Sequence, residues 1–478
     1  MKNFKKNIAL LAALACAGTM LAGCTSNEPA TDGGNDGGND TPAVADNSGD
    51  TPAADDGGST DNAAGDKLTV LCWNTDDINP MIENFCASTG HSADEFNIQN
   101  FGCGGGEAAE NYDNYLGDTS NDADIMFVEA DWALKYINDD SADKGTMALT
   151  DIGFSDGDYG DLYGYTVEIG KSTSGVQKGL SWQAAAGGFC YRTDLAETYL
   201  GVKSPDEMQA LVSDWDKFLD TAKKVGEASG GKTALTSTMA GVWQVFSAGR
   251  STPWVADGKL QLDDSAKSYI DFAKSMYDNG YVMKDLDQWS TDWYSAGQTD
   301  KTMGYFVSTW GFGDSILTQA AGYEGGATYG KWNVVVGPQP FYWGGTWMTV
   351  ANRCNNKDLV KEFMTYFTTD AAGAESYARF QGEYVSNQKA MEAVLNDSSY
   401  EGIGVLGGQN HFAVLNTVAD GINMVGGITE YDATIKNAFN DAVTEYCRGT
   451  YDSVDATVDA FVDNVAGSLP TLDYSNFD

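Results

Sequence analysis

The chain has 478 residues, which at about 100 to 200 residues per domain suffices for two or three domains with sizeable cores. Its formal net charge is -41, and only five of its basic residues are arginine. A surface this acidic repels phosphate groups, which excludes a nucleic acid partner and disfavours phosphorylated or polycarboxylate ligands. The two histidines, His91 and His411, are too far apart in sequence to suggest a histidine-rich metal site or a histidine-based triad, so no metal is predicted.

The N-terminus has the pattern of a secretion signal. Three lysines precede the apolar run IALLAALACAGTMLAGC, which is too short for a comfortable membrane span. The run ends in LAGC, residues 21–24, which resembles the bacterial lipobox, in which the cysteine becomes the lipidated first residue of the mature protein. We therefore predict a lipoprotein signal peptide over 1–23 and lipidation of Cys24. An ordinary signal peptide cut near the same place is the alternative.

A linker follows the predicted anchor. Residues 24–67 are rich in Asp, Gly, Asn, Ala and Pro, and Val44 is their only large aliphatic residue after the anchor. Such a segment cannot bury enough apolar surface to offset the entropy of ordering, which predicts a disordered acidic linker. A flexible chain of this length spans roughly 35 Å, so the folded part is held away from the membrane.

Strands and helices alternate at the start of the folded part. The apolar run 68–72 predicts a buried strand, and helical spacing follows in 79–90. A second apolar run lies within 122–132 and precedes the helix-like ALKYIND. This alternation predicts βαβ units on a parallel sheet, in which ligands bind beyond the carboxyl ends of the strands. The candidate binding residues just past these two strands are Asn74, Asp76, Asp77, Glu129, Asp131 and Trp132.

Further tryptophans follow along the chain. Segment 180–192 is strand-like and carries Trp182 and Gln183, and MAGVWQVFSAGRSTPW carries Trp243. Segment 204–225 has the pattern of one amphipathic helix opening on a Ser-Pro cap, with its tryptophan in the core. The apolar strand in MGYFVSTWGFG runs into Trp310. Further candidate ligand contacts are therefore Trp182, Gln183, Trp243 and Trp310.

The stretch FYWGGTW, residues 341–347, surrounds a glycine pair with four aromatic rings. A buried strand would avoid a central glycine pair, which costs backbone entropy and leaves nothing to pack. Flat rings beside open backbone instead favour a ligand site. We predict that Trp343 faces a ligand ring, that Gly344 and Gly345 let backbone amides approach it, and that Trp347 starts the next strand.

Rings paired with carboxylates and amides are typical of carbohydrate recognition. The C–H-rich face of a pyranose stacks on an indole or phenol, while its hydroxyls need amide and carboxylate partners. A single tryptophan more often packs in a core. The recurrence of the pairing at several strand ends is what favours an oligosaccharide ligand.

Five blocks of the chain together resemble the family 1 extracellular solute-binding proteins of ABC sugar importers, of which maltose-binding protein is the best-known member. The blocks are 67–90, 122–137, 181–218, 302–317 and 337–370. The resemblance implies an α/β fold of two lobes, like the periplasmic binding proteins, with a hinge and an interlobe ligand cleft. It assigns 68–182 plus 331–382 to the N-terminal lobe and 183–330 plus 383–478 to the C-terminal lobe.

The resemblance also implies a function. The family's two strand-end loops fall on Asn74, Asp76 and Asp77 and on Glu129, Asp131 and Trp132, its strand-end ring falls on Trp310, and YWGGTW lies at the cleft. The chain departs from maltose-binding protein in having no basic residue in the first loop. The implied protein is a monomer without cofactor, lipid-anchored at the extracellular face of a bacterial cytoplasmic membrane. It captures an oligosaccharide, delivers it to an ABC transporter permease, and is not an enzyme.

Other functions remain open from the residues alone. A glycoside hydrolase needs two carboxylates about 5 to 10 Å apart, and Asp76 with Glu129 or Asp131 is a candidate pair. A surface adhesin for long polysaccharides would share the anchor and the rings. An importer of peptides, polyamines or metals is a weaker alternative, because the rings outnumber what those ligands need.

Six cysteines follow Cys24, and none forms a CxxC pair that would suggest zinc or redox chemistry. Cys72 and Cys190 fall within apolar runs and fit small buried hydrophobes, although secretion permits disulfides. The disulfide state is therefore left open. The glycine-rich stretch GCGGGEAAEN lacks the Lys-Ser/Thr of a phosphate loop and is predicted to be a turn that caps a helix.

Overall fold

The computed structural model describes residues 67–284, 286–313, 315–423 and 427–477. The predicted signal peptide, the predicted lipidation site Cys24 and all of the predicted linker except Lys67 lie outside the described residues. Within the described ranges, no helix combines the length and the apolar character needed to cross a membrane.

The described residues contain ten strands and seventeen α-helices. The strands are β1 Leu68–Cys72, β2 Phe96–Asn100, β3 Ile125–Glu129, β4 Gly179–Ser181, β5 Gly187–Arg192, β6 Val255–Ala256, β7 Lys259–Leu260, β8 Gly304–Ser308, β9 Trp332–Val335 and β10 Thr346–Val350. The helices are α1 Ile78–Thr89, α2 Gly105–Leu116, α3 Ala133–Ile137, α4 Gly164–Ile169, α5 Thr193–Leu200, α6 Pro205–Val212, α7 Trp215–Ser229, α8 Met239–Ser247, α9 Asp264–Asp278, α10 Thr291–Ala296, α11 Leu317–Ala320, α12 Lys357–Phe367, α13 Ala371–Gln381, α14 Gln388–Leu395, α15 His411–Gly421, α16 Asp432–Arg448 and α17 Val454–Ser468.

The first lobe is built on a five-stranded sheet in the order β2-β1-β3-β10-β4. β1 pairs in parallel with β2 and β3, as the alternation of strands and helices predicts. β10 pairs antiparallel with both β3 and β4. Every residue of β1 and β10 is buried, which fits their nearly continuous apolar sequences.

The second lobe is built on an antiparallel three-stranded sheet in the order β8-β5-β9. The stretch 331–335, assigned by the resemblance to the first lobe, contains β9 and pairs with β5 in this second sheet. The chain therefore returns to the first sheet between β9 and β10, within 336–345. This return carries most of the stretch FYWGGTW from one sheet to the other.

The segment predicted as one helix over 204–225 forms two. Ser204 caps α6 as predicted, but α6 ends at Val212 and α7 begins at Trp215. The break is at Ser213 and Asp214, because the Asp214 carboxylate accepts a hydrogen bond from the Lys217 amide and starts a new helix. Trp215, which is predicted to lie in the core, is partly buried and packs against it, with its ring 4.5 Å from that of Phe246.

Three stretches of chain lie side by side where the sheets meet, and we call them the hinge ribbon: 182–187, 341–346 and 383–386. The Trp343 amide donates to the Ala185 carbonyl at 3.0 Å, and the Ser386 amide donates to the Trp182 carbonyl at 2.7 Å. Backbone bonds of this kind tie the crossings to one another.

Candidate functional site

A cavity lies where the hinge ribbon meets the edges of both lobes. Asp131, which follows β3, supplies the wall from the first lobe, and Trp343 and Gly344 supply the wall from the hinge ribbon. The volume of the cavity is about 50 Å³. That is room for a few water molecules, whereas ligand pockets usually measure about 300 to 1,000 Å³. The lobes are therefore close together in this structure.

The second lobe contributes the charged and aromatic part of the lining. Trp243 lies on α8 and Arg250 lies in the turn after it, while Asp432 and Lys436 lie on the first turns of α16. Two nitrogen atoms of this wall, Nε1 of Trp243 and Nη1 of Arg250, are buried and have no hydrogen-bond partner among the described residues. The cost of burying an unpaired donor makes both atoms candidates for a ligand oxygen.

Two ion pairs organise the charges of the cavity. Nζ of Lys436 lies 2.5 Å from Oδ2 of Asp131, so this pair joins the second lobe to the first. Burial alone would lower the pKa of Lys436, but the carboxylates around it, Asp131 foremost, outweigh burial and raise it. Arg250 lies over the ring of Trp254 at 4.7 Å, and its Nη2 is 3.7 Å from Asp432 Oδ2.

Glu129 lies behind this lining. Its Oε2 accepts a hydrogen bond from the Asp131 amide at 2.8 Å, and its Oε1 is 3.4 Å from where a Cβ on Gly344 would be. Burial, with the charge of Asp131, raises the pKa of Glu129 to about 8, against the opposing effect of Lys436. Glu129 is therefore a mostly protonated carboxyl group at neutral pH. Its hydrogen bond with the Asp131 amide holds the loop that carries Asp131.

The two glycines of FYWGGTW adopt left-handed backbone, with φ of +63° at Gly344 and +95° at Gly345. A side chain at either position would be strained by its backbone alone. At Gly345 a Cβ would also lie 2.9 Å from the Cβ of Ala185, which no rotamer change relieves. Gly345 thus permits close packing of the hinge ribbon, and Gly344 lies in the cavity wall.

Three tryptophans form a cluster beside the cavity: Trp289, Trp310 and Trp343. The ring centroids of Trp310 and Trp343 are 5.1 Å apart, and Nε1 of Trp310 donates to the Trp343 carbonyl at 2.8 Å. Trp289 stacks on Trp310 at 6.1 Å and lies 5.9 Å from Trp343. Two of these rings, Trp310 and Trp343, are residues that the sequence predicts for the site, and the structure brings them together.

Other predicted site residues lie deeper. Trp182 is fully buried against Phe127, and Trp132 is buried with its ring 5.7 Å from that of Trp73. Trp347 is buried on β10, where its Nε1 donates to the Thr166 carbonyl. These positions are those of core side chains. The structure therefore assigns packing contacts to these three rings, whereas Trp243 is both buried and in the cavity wall.

The first predicted loop belongs to a different group of side chains. Asn74 accepts a hydrogen bond from the Asp76 amide, and Asp76 is exposed. Burial, with the charge of Asp76, raises the pKa of Asp77 to about 7. Burial, with the charge of Asp77, raises the pKa of Glu383 in the hinge ribbon to about 8. We call Asp77 and Glu383 the acid pair.

Hydrogen bonds hold Glu383 of the acid pair within the hinge ribbon. Thr309, just after β8, donates its hydroxyl to Oε1 of Glu383. The predicted site residue Gln183 donates to Oε2 of Glu383 at 3.5 Å and accepts from the Thr346 amide at 2.9 Å. Gln183 is buried, so its amide group fixes the packing of the hinge ribbon rather than facing the cavity.

A protein-family model described as a bacterial extracellular solute-binding protein matches residues 95–400. The chain belongs to this family. Its members are extracellular by description, which places this chain in an extracellular or periplasmic location.

Solved structures support the same fold. A structure described as an extracellular solute-binding protein of family 1 has a TM-score of 0.68 at 18% identity, covering 84% of this chain and 99% of its own. The ABC transporter associated binding protein from B. animalis subsp. lactis Bl-04, in complex with β-1,6-galactobiose, has a TM-score of 0.65 at 19% identity, covering 84% and 97%.

A third structure is the galacto-N-biose/lacto-N-biose I-binding protein of the ABC transporter from Bifidobacterium longum, in complex with lacto-N-biose, with a TM-score of 0.62 at 14% identity, covering 85% and 98%. At such identities the likenesses concern the fold, which confirms the predicted two-lobed α/β architecture with an interlobe cleft. A comparison with curated proteins finds none that matches the chain.

Sequence reasoning missed several residues of this solute-binding protein's cavity, among them Arg250, Asp432 and Lys436. Lys436 is 305 positions from its partner Asp131, so no local pattern joins them. The one available signal was Arg250, a rare arginine four positions before a tryptophan. Glu383 of the acid pair likewise gave no signal, because its burial depends on the packing of the hinge ribbon.

The cysteines of the described part of this solute-binding protein are free thiols: Cys72, Cys86, Cys103, Cys190, Cys354 and Cys447. Cys72 and Cys190 are buried in β1 and β5, as the apolar runs around them predict. Burial raises the pKa of both thiols, that of Cys72 to about 12, which keeps them protonated and unreactive at neutral pH.

Proposed function

We propose that this protein captures an oligosaccharide between its two lobes and delivers it to the permease of an ABC transporter. The observation that carries the proposal is the composition of the cavity wall. Asp131 comes from the first lobe, Trp343 from the hinge ribbon, and Trp243, Arg250 and Lys436 from the second lobe. A ligand held there touches both lobes at once.

Capture then follows from a population shift. A ligand that contacts both lobes binds the closed form better than the open form, so it moves the equilibrium toward closure. A cavity of about 50 Å³ does not admit a sugar unit, so the lobes separate before the ligand enters. The closed, loaded form is the one that a permease would recognise. Nothing in this cycle breaks a covalent bond.

The chemistry of the lining fits a sugar. Trp343 offers ring surface for the C–H face of a pyranose. The unpartnered Nη1 of Arg250 and Nε1 of Trp243 are donors for hydroxyl oxygens, and the carboxylate of Asp131 is an acceptor. Two structural neighbours are described in complex with disaccharides, β-1,6-galactobiose and lacto-N-biose, and both belong to ABC transporters.

Lipid anchoring at Cys24 is part of the proposal. It rests on the LAGC motif after a short apolar run, and the acidic linker then holds the lobes away from the membrane. A Cys24→Ser variant is expected to appear in the culture medium, whereas the wild-type protein stays with the membrane fraction. Membrane retention of the variant would contradict the anchor. Size-exclusion chromatography with light scattering tests the proposed monomer.

The site residues that we propose for the ligand are the lining members and their neighbours. They are Asp131, Trp243, Arg250, Trp310, Trp343, Gly344, Asp432 and Lys436. Titration calorimetry of the purified protein against oligomers of glucose, xylose, mannose and galactose, in α and β linkage, tests the assignment. Saturable binding of one series is expected, and flat signals with every carbohydrate would overturn it.

A glycoside hydrolase is the second candidate, because Glu129 has a raised pKa as a general acid requires. Glu129 lies behind Asp131 and Gly344, however, and its Oε2 accepts a hydrogen bond from the Asp131 amide. It is thus directed into the loop, which favours binding alone. New reducing ends after incubation with a bound oligosaccharide would support the hydrolase instead.

A surface adhesin remains the third candidate. An adhesin presents an open platform, so its affinity keeps rising with the length of the polysaccharide. A closing cleft encloses a fixed number of units, so its affinity stops rising after a few. The dependence of the dissociation constant on chain length therefore separates the two.

A further inference from the structure

Trp289 combines two unfavourable features in one residue. Its side chain is 48% exposed, although indole is a large apolar ring. Its backbone has a φ of +74°, in the left-handed region that strains a residue with a side chain. The exposed ring and the strained backbone both lower the stability of the unliganded fold. Backbone strain of this kind concentrates at ligand-binding positions.

The exposed ring is held on a fixed base. One side of Trp289 stacks on Trp310, with an interplanar angle of 28°. The buried ring of Trp293 packs edge-on against Trp289 at 5.2 Å and is itself anchored, because its Nε1 donates to the Ser237 hydroxyl. The ring orientation is therefore set by its neighbours. An aromatic platform that is ordered in advance loses little entropy when a ligand stacks on it.

The platform adjoins the cavity. The ring of Trp289 lies 5.9 Å from that of Trp343, which belongs to the cavity wall. A ligand unit that contacts Trp343 thus has the exposed indole next to it, outside the enclosed space. The platform is continuous with the proposed binding site rather than a separate patch on the surface.

We propose that Trp289 is an outer stacking site for one sugar unit beyond the unit that contacts Trp343. The ligand is then an oligosaccharide of at least two units, with its inner part in the cavity and its outer unit on the exposed indole. This inference rests on the proposed function, since it extends the same ligand. It adds a ligand-binding role for a residue outside the set of site residues predicted from the sequence.

The test compares chain lengths of one linear series. The probe is the series, among the glucose, xylose, mannose and galactose oligomers, that binds the wild-type protein, from two to five units. Wild-type affinity is expected to rise about tenfold when the outer unit is added and then to level off. Trp289→Ala should lose this gain while its affinity for the shortest bound oligomer stays within about twofold. Trp289→Phe should retain part of the gain.

A second measurement separates a ligand contact from a structural role. Trp289→Gly relieves the positive φ, so it should be at least as stable as Trp289→Ala while losing the same gain. Phe380→Ala, which removes an exposed ring on α13 outside the tryptophan cluster, is the control and should leave the length dependence unchanged. Acrylamide quenching of tryptophan fluorescence should fall with the longer oligomer and much less with the shortest.

The outcomes are distinct. The outer site is overturned if Trp289→Ala keeps the gain in affinity from the outer unit, or if it loses affinity equally for oligomers of every length. The proposed function stands in both cases. Absence of binding by the wild-type protein to every series overturns the proposed function and the outer site together.

Discussion

Lys436 and Asp131 form an ion pair across the cavity, with 2.5 Å between Nζ and Oδ2, although 305 positions of sequence separate them. One partner follows a strand of the first lobe and the other lies on the first turns of α16 in the second lobe. The pair joins the two lobes and belongs to the lining of the cavity. Under the proposed function, it couples the opening of the lobes to the contents of the cavity.

Replacing the lysine should favour the open form. In Lys436→Met the closed state loses the attraction and keeps a partly buried carboxylate, whereas the open state hydrates Asp131. We expect a larger radius of gyration of the unliganded protein in X-ray scattering, and ligand affinity lower by about tenfold, or ~1.4 kcal/mol.

The control for that variant is Lys389→Met. Lys389 pairs with Asp161 at 2.7 Å, but both side chains are more exposed than those of the cavity pair, so its loss should change neither measurement. An unchanged radius and affinity in Lys436→Met would show that the cavity pair does not hold the lobes together.

The acid pair should make stability depend on pH. The folded-state pKa of Glu383 is raised to about 8, above its unfolded value. Between the unfolded value and about pH 8, the unfolded chain releases a proton that the folded chain keeps, so the folded state loses stability as the pH rises. Below the unfolded pKa both states are protonated and this contribution is flat.

Glu383→Gln removes that titration. The unfolding free energy of both proteins is expected to fall between pH 5 and 8. In the variant it should fall less than in the wild-type protein, by at least about 1 kcal/mol. Denaturant unfolding at several pH values measures it, and Glu392→Gln on the exposed side of α14 is the matched control. Parallel curves for wild type and Glu383→Gln would contradict the raised pKa.

Alanine variants of Trp343 and Trp182 should affect ligand affinity and fold stability to different extents. Trp343→Ala opens the cavity wall and should lower ligand affinity about tenfold or more. Because the ring is buried against Trp310, stability should fall as well, but less than in Trp182→Ala. Trp182→Ala leaves a void beside Phe127 and should destabilise the fold by about 3 to 5 kcal/mol. Calorimetric titration and thermal unfolding of both variants check the contrast. A reversed order of the two stability losses would move Trp343 into the core.

Alanine at Gly345 should lower the stability of the fold more than alanine at Gly344. Gly345→Ala meets a left-handed backbone and a contact of 2.9 Å with Ala185, so we expect a loss of more than about 2 kcal/mol. Gly344→Ala has 3.4 Å to its nearest neighbours and should cost less. Gly90→Ala, with φ of +87° and open space around it, measures the backbone strain alone. Equal effects at all three positions would show that the packing of the hinge ribbon adds nothing.

Patterns within a few residues predicted much of the fold. The run 68–72 became β1 with the predicted bounds. Of the glycine-rich stretch predicted to be a turn that caps a helix, residues 102–104 precede α2 and the rest forms its first turns. Apolar period and capping residues act through neighbours in the chain, so they are visible in sequence. The predicted single helix over 204–225 was wrong because the Asp214 cap competes locally with helix continuation.

The site was predicted only in outline. The strand predicted to start at Trp347 begins one residue earlier, at Thr346, and the two glycines before it are left-handed. Which ring lines the cavity and which packs in a core depends on the direction of each side chain after the sheets have formed. Trp182 and Trp343 have similar local patterns, yet one lies wholly in the core and the other lies in the cavity wall.

The sequence by itself determined the acidic character of the chain, the secretion signal pattern, the alternation of strands and helices, and the family blocks. These follow from composition and from contacts between near neighbours. Only the tertiary structure decided that Asp131 meets Lys436, that Asp77 and Glu383 form the acid pair, and that Trp289 stays exposed on a platform of rings. The physical reason is that burial, pKa and ion pairing depend on groups hundreds of positions away, which meet only when the two lobes pack around the hinge.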